Sequence, residues 1–405
     1  MKKKVGLLAA AAVLMTGAFL TACGGHEHTL ADGWLSDDTN HWQVCGECTE
    51  SVNFGVHTFE AGFCTVCNAE EPVVGSAGLE YSFADYTETT WQVKGVGECT
   101  DTIITIPASY RGKPVVAIGY EAFKKDGYDS PMESVTKIVI PSSVTEIGRY
   151  AFANYKGAVE FVNPTITEIG ESAFENYMGA GLTIPDGVTT IGYRAFSNNG
   201  GAVSFTIPKT VMHIGVSAFS MSINLEEVIF EDGIQIEELP DSLFNSCEKL
   251  KGIEIPASVK RLTVRDDYYL NNWNGTFKDV SGTITFEEGS QLEFIGEYYF
   301  LAFKGTVILP ESYKVVNKNA FFATKGAKIV VTAAVTEIEV KGLSAWEVYL
   351  NVYPAHSIYY MGTQAQWDAI VKGSDSSGSA VGESAKIYMS NEWEFVDGIP
   401  TVKAE

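Results

Sequence analysis

The chain is poor in basic residues: 28 Lys+Arg stand against 51 Asp+Glu in 405 residues, a formal net charge of −23. That balance argues against a nucleic-acid partner, because polyanion binding needs clustered cations. It argues equally against adsorption to an anionic membrane surface. Histidines number six, and no GxSxG, HExxH or GxxxxGK[ST] string occurs. The usual nucleophile, zinc-hydrolase and phosphate-loop arrangements therefore have nothing to build on. His213 takes the outward slot that Glu146, Glu168 and Thr190 hold in related stretches, and His356 stands alone in YPAHSIYY. The adjacent carboxylates Glu226-Glu227 and Glu287-Glu288 would face opposite sides of a strand and make no acid/base pair. An enzyme is not expected. Seven cysteines are present, yet only Cys99 and Cys247 lie beyond residue 67. The long C-terminal region is thus not a disulfide scaffold. No second long apolar run follows the first.

That first run is MKKKVGLLAAAAVLMTGAFLTAC. Three lysines, a short apolar stretch and small residues have the layout of a secretory signal over residues 1–22. Leu20–Cys23, LTAC, resembles the bacterial lipobox. The resemblance implies that Cys23 is lipidated through its thiol and becomes the first mature residue. More than one acyl chain would hold the chain on the cell envelope, facing outward. Loss of Lys2, Lys3 and Lys4 lowers Lys+Arg from 28 to 25 against 51 acids, so the mature charge is about −26. Residues 23–40 would form a lipidated tether. The membrane is met through this anchor alone.

Residues 41–72 carry a different signal. Cys45-x2-Cys48, fifteen residues, then Cys64-x2-Cys67 has the spacing of a four-thiolate zinc site. Two tight turns would each present a pair of sulfurs. His41 and His57 are alternative ligands. Two disulfides are the competing arrangement in an exported chain. The expected cofactor is one structural zinc, because four cysteines leave no open position for catalysis.

From about residue 101 the same word keeps returning: IPSSVTEIGRYAF at 140–152, IPDGVTTIGYRAF at 184–196 and IPKTVMHIGVSAF at 207–219. Phe152, Phe174, Phe196, Phe219 and Phe244 follow one another at 22, 22, 23 and 25 residues. Phe123 precedes them and Phe321 follows. Phe277 and either Phe300 or Phe303 fill the interval, beside an insertion at 265–275. Each unit reads as a short strand ended by proline, a second short extended piece, a glycine bend and an aromatic plug. Such a unit cannot bury its apolar side alone, and stacking completes the core. The stack produces ladders: Ile106, Ile140, Ile184, Ile207 and Ile255 before proline, and Ile118, Ile147, Ile169, Ile191 and Ile214 before glycine. Asn154, Asn176 and Asn198 would form a third, buried and bonded to neighbouring backbone. Two departures disturb the register. Leu239-Pro240 replaces isoleucine-glycine, and RDDYYLNNWNG is inserted at 265–275.

These words resemble the BspA-type leucine-rich repeat of bacterial surface proteins. The resemblance implies a β-rich solenoid, a curved leucine-rich-repeat array with a parallel sheet. A small N-terminal His/Cys module precedes it and a C-terminal cap closes it. The expected divisions are 73–100 for linker and N-terminal cap, 101–345 for the solenoid and 346–405 for the C-terminal cap. In the cap, Thr363 and Gln366 form a capping box opening a short helix with Trp367 and Ile370. Residues 373–386 read as a flexible polar loop, and 392–402 as a hairpin about Asp397-Gly398.

The resemblance also implies adhesion: a cell-surface lipoprotein whose solenoid binds protein ligands on host cells, matrix or neighbouring cells. A glycan-binding lipoprotein is the alternative, and so is a presenter of the metal-binding module. The exposed features that would carry ligand binding are Tyr268, Tyr269, Trp273, Tyr298 and Tyr299, aromatics in adjacent irregular coils. Their blander role is to fill the gap beside the longer coil. Metal analysis of protein beginning at residue 24 should give about one zinc per chain. Absence of zinc together with absence of free thiols at 45–67 would replace the zinc site with disulfides.

Overall fold

The computed structural model describes residues 75–127, 130–263, 275–322, 324, 326–344, 356–375, 378–382 and 385–404. It also describes five short strands and Val66 within 35–66. The chain divides into two compact units, residues 1–72 and 73–405. In the first, Leu35–Ser36, Asn40–Val44 and Ser51–Val56 form an antiparallel sheet, and Phe59–Glu60 pairs with Phe63–Cys64.

The second unit is an array of short parallel strands. An antiparallel hairpin, Glu80–Phe83 with Trp91–Gly95, starts it. Trp91–Gly95 then lies parallel to Lys113–Ile118, and two-residue strands follow coil by coil: Glu146–Ile147, Glu168–Ile169, Thr190–Ile191 and His213–Ile214. The expected isoleucine ladder is the inward half of this register, pairing Ile118, Ile147, Ile169, Ile191 and Ile214 in turn. Proline explains where it stops. Gly170, Gly192 and Gly215 each donate an N–H to the preceding coil, and Pro240 has none to give. Glu238–Leu239 accordingly pairs only with Arg261–Leu262, in a new sheet.

A second ladder of longer strands carries the residues before each proline. Ile103–Thr105, Lys137–Ile140 and Ala158–Phe161 form its first part, and Ser204–Ile207 with Glu227–Phe230 its second. The third part runs from Gly252–Ile255 through Thr283–Phe286, Thr306–Ile308, Lys328–Val331 and Ser357–Tyr360 to Lys386–Tyr388. Alternation puts Ile138 and Ile140 in the core and leaves Val139 partly exposed.

The phenylalanines bind the coils together. Rings of residues 123, 152, 174, 196, 219, 244, 277, 300 and 321 stack in one file, with centroids 4.8 to 5.9 Å apart. Phe300 is therefore the rung, and Phe303 packs edge-on against it at 5.5 Å. Phe244 and Phe277 still meet at 5.9 Å, so the 265–275 insertion leaves the core register intact.

The arc that carries each ring has a backbone the sequence did not announce. Tyr150 and Asn154 have φ of 56° and 62°, and Ser172/Asn176, Arg194/Asn198, Ser217/Met221 and Ser242/Ser246 repeat the pair. Alternate amides then point along the stack. Tyr150, Phe152 and Asn154 donate to Glu171, Ala173 and Glu175 of the next coil, while Ala151, Ala153 and Tyr155 donate three residues back. Every amide of the arc is satisfied. Asparagine tolerates this left-handed conformation better than most residues. The asparagine ladder differs from expectation accordingly. Asn154 and Asn176 are only partly buried and Asn198 is exposed, and the side chains bond mainly to one another, Asn176 Nδ2 to Asn154 Oδ1 at 2.9 Å and Asn198 Nδ2 to Asn176 Oδ1 at 2.6 Å. Gly148 also has a different reason from the expected bend. It is absent from the positive-φ residues, but a Cβ there would lie 2.6 Å from the Ile118 carbonyl oxygen of the preceding coil.

The C-terminal region prolongs the array. Thr363 and Gln366 make the reciprocal capping box of helix Gln364–Ala369, which buries Trp367. Trp393–Val396 and Ile399–Val402 form the hairpin, with Asp397 and Gly398 at φ 49° and 75°, the signature of a type I′ turn. The Trp393 indole donates to the Tyr360 carbonyl at 3.1 Å, fixing the hairpin to the long ladder. The described residues of 373–386 make regular backbone pairs instead of a free polar loop. Val371–Lys372 extends the short ladder, Ser374–Asp375 pairs with Gly378–Ser379, and Leu343 donates to Ala380 at 3.0 Å. Among the described residues no helix is long and apolar enough to cross a membrane.

Phe174 sits between Phe152 at 5.1 Å and Phe196 at 5.5 Å, with no exposed surface. Phe174→Ala should lower unfolding free energy by about 3–5 kcal/mol in denaturant titrations. A loss below about 1 kcal/mol would mean that the file of rings does not hold the coils.

Candidate functional site

The most distinctive surface feature is a gap in the long ladder. Its sequence correlate is a shorter run from asparagine to proline, in a coil of the same 22-residue period as the one before it. The stretches from asparagine to proline read NYKGAVEFVNP at 154–164, NYMGAGLTIP at 176–185 and NNGGAVSFTIP at 198–208. The middle one is a residue shorter, and Gly181 follows Ala180 where Val159 and Val203 follow Ala158 and Ala202. Gly181 adopts φ +74°, and no strand forms across 181–184. Leu182 and Ile184 nonetheless stay in the core, 4% and 6% exposed. The interior is continuous while the hydrogen-bond ladder is not.

Cross-coil bonds stop at both edges of the gap. Met178 N–H donates to Tyr155 at 3.0 Å and Thr189 N–H to Thr167 at 2.9 Å. Among the described residues no backbone bond joins 158–161 to 180–184, or 180–184 to 204–207. Ala158 and Val162 donate back to Thr136 and Ile140, both at 2.9 Å, so Val159 and Phe161 turn their peptide groups toward the gap. Tyr177 closes one end by donating its hydroxyl to the Gly157 carbonyl at 2.8 Å. Between these edges lies a cleft of about 380 Å³, lined by Phe161, Pro164, Pro185, Ala158, Ala180 and Glu160 among others. That volume is in the range of ligand-sized sites, about 300–1,000 Å³. Glu160, the single charge in the lining, is ion-paired with Lys137. Phe161, Pro164 and Pro185 beside peptide groups without a cross-coil partner suit an extended chain segment.

The residues expected from sequence are placed as follows. Cys23, Cys45, Cys48, Cys67 and His57 lie outside the described residues, as do Tyr268, Tyr269 and Trp273. His41 belongs to the strand Asn40–Val44, and Cys64 ends the strand Phe63–Cys64. Tyr298 is 36% exposed, with its ring edge-on to Phe322 at 5.9 Å and its hydroxyl 3.3 Å from Asn319 Nδ2. Tyr299 points the other way. It is fully buried and packs at 5.9 Å against Phe277, so it serves the core and is no ligand anchor. Tyr298 takes the left-handed position of the arc, with φ of 63°, and the next residue turns inward, which separates the two tyrosines. His213 is exposed, as its slot requires. Cys99 and Cys247 are free and buried. Burial pushes the Cys247 thiol up to about 12, and its S–H donates to the Phe219 carbonyl at 3.2 Å. It is an inert packing group. The gap itself was missed in the sequence, although its signal, a shorter distance from asparagine to proline, was there to be counted.

Parallel coils with aromatic plugs and laddered isoleucines define a leucine-rich-repeat solenoid. The profile of the BspA type leucine rich repeat region matches residues 116–251, 167–274, 235–345 and 274–365, and the chain belongs to that family. Among solved structures it is similar to a leucine-rich repeat protein from Bacteroides ovatus, at 21% identity and a TM-score of 0.48, over 78% of this chain and 90% of that one. It is also similar to a leucine rich cell surface protein from Faecalibacterium prausnitzii, at 18% identity and a TM-score of 0.27, over 75% and 98%. A third is the pneumococcal vaccine antigen PcpA, at 16% identity and a TM-score of 0.33, over 79% and 98%. No curated protein sequence matches the chain.

His356, expected in the cap, is wholly buried and holds two segments together. Its Nε2 lies 3.1 Å from the Leu343 carbonyl and its Nδ1 3.2 Å from the Thr324 hydroxyl. A proton on Nε2 donates to Leu343, and Nδ1 accepts from Thr324. Burial lowers its pKa from 6.5 to about 4. The folded ring binds fewer protons than the unfolded one, so its contribution is complete above pH 6.5 and is lost as pH falls toward 4. His356→Gln should be less stable than the parent at pH 7.5. It should lose less than the parent between pH 6.5 and 5 in denaturant titrations. Equal losses would show that His356 does not set the acid limb.

Proposed function

We propose that this chain is a non-enzymatic surface lipoprotein, anchored through Cys23, whose solenoid binds extended segments of proteins on host or neighbouring cells. The observation that carries the reading is the gap at 180–184. Peptide groups in a solenoid bond along the stack, and those of Val159 and Phe161 have no strand to meet. An added strand would supply main-chain partners for affinity, and the cleft beside it would select side chains for specificity. The signal segment, the cysteine that follows it and the acidic surface support display at the cell envelope. Zinc at Cys45, Cys48, Cys64 and Cys67 would serve as structure in the N-terminal unit. The strand ends at Val44 and Cys64 suit this, because each leads directly into one cysteine pair.

Ala180 is exposed beside the cleft, so Ala180→Trp fills it without entering the core. Peptides selected from a displayed random library on the full mature chain should lose about tenfold or more in affinity against Ala180→Trp. They should bind Tyr120→Ala unchanged. A library that yields no binders, or binders indifferent to Ala180→Trp, would overturn the assignment.

A further inference from the structure

A second row of side chains runs along the stack on another column of the coils. The residue after each bend glycine is Tyr120, Arg149, Glu171 and Tyr193 in four successive coils. Backbone bonds fix their order. Glu121 N–H donates to Arg149, Tyr150 N–H to Glu171 and Ser172 N–H to Tyr193. One coil step is 5.6, 5.1 and then 5.5 Å between ring centroids in the core. The two tyrosines are therefore rooted about 14 to 16 Å apart, three coil steps.

The row is exposed and held. Tyr120 is 60% and Tyr193 37% exposed. Between them the Arg149 guanidinium pairs with the Glu171 carboxylate at 3.0 Å and lies 4.9 Å above the Tyr150 ring. Tyr120 meets the same ring edge-on at 6.3 Å. Its hydroxyl bonds to Glu121, whose carboxylate is held by Lys124 at 2.7 Å. Side chains fixed in this way lose little freedom on binding.

We infer that the row Tyr120–Arg149–Glu171–Tyr193 is a binding site for a neutral oligosaccharide of pyranose units lying along the solenoid axis. An aromatic face stacks on the C–H face of a sugar ring, and the polar edge of tyrosine reaches its hydroxyls. Guanidinium and carboxylate between the rings supply a planar donor and a planar acceptor for the middle unit. Three coil steps match about three units of an extended β-linked chain. Charge selects the class. Arg149 and Glu171 neutralise each other, and a chain of net charge −23 repels sulfated or sialylated sugars. The site is separate from the 180–184 cleft and does not depend on it.

The test is calorimetric titration of the full mature chain with β-1,4-linked hexasaccharides of glucose, N-acetylglucosamine and mannose. At least one should bind more tightly than about 1 mM. Tyr120→Ala and Tyr193→Ala should each weaken that binding about tenfold or more. Tyr120→Phe should retain most of it, which separates loss of the ring from disturbance of Tyr150. Ala180→Trp should leave it unchanged, so failure here and failure of the peptide cleft are distinct results. The inference is overturned if none of the three sugars binds, if binding survives both alanine variants, or if a sulfated hexasaccharide binds more tightly than the neutral ones.

Discussion

One spacing governs the molecule: the step between coils must satisfy hydrogen bonds and aromatic rings together. Parallel strands sit about 4.8 Å apart, and the nine stacked rings follow at 4.8 to 5.9 Å. Neither interaction can change its step without losing the other. This explains why so little variation is tolerated inside. Alanine precedes six of the nine stacked phenylalanines, and Leu243, Thr276 and Tyr299 stand before the other three without breaking the file. Glycine recurs where the coils touch most closely. A Cβ at Gly179 would lie 2.1 Å from the Gly157 carbonyl oxygen, and one at Gly201 would lie 2.0 Å from that of Gly179.

The inward half of this arrangement was legible because it repeats. The isoleucines before proline and before glycine, the plugging phenylalanines, the capping box at Thr363 and the hairpin at Asp397-Gly398 each have a residue type that fits one physical role. The arc was not legible. Tyr150, Ser172, Arg194 and Ser217 share a left-handed backbone and nothing in their side chains. The conformation is imposed by hydrogen bonds to the next coil, an interaction that local propensity does not encode. Tyr299 was misplaced for the same reason. Two adjacent tyrosines look alike in sequence, and only the direction of the arc sends one inward. Residues 373–386 read as a polar loop, yet their described residues Ser374–Asp375, Gly378–Ser379 and Ala380 bond to one another or to the preceding coil.

The two departures from the repeat have opposite consequences. Phe244 and Phe277 are separated by 33 residues, yet their rings stack. Extra chain can leave the core and return, and the entropy of a longer loop grows only slowly. The coil at 176–185 keeps its buried side chains and gives up its ladder bonds. Burial of Leu182 and Ile184 is worth more here than a few exposed peptide bonds, each contributing about 1 kcal/mol net. A coil of unchanged length thus opens a cleft, while the insertion leaves the file of rings unbroken.

Recognition can then be located by what the stack leaves free. Outward positions in the two ladders answer to no neighbour along the axis beyond modest cross-strand pairing. The residue after the glycine of each coil has its backbone fixed by the next coil and its side chain at the surface. Tyrosine, arginine, glutamate and tyrosine occupy it in four consecutive coils, held by contacts of their own. A rigid spine thereby sets the distances between exposed groups at multiples of one coil step. Any ligand with a repeat near that step, a β-strand in one site and a linear sugar chain in the other, meets a surface already ruled to its own spacing.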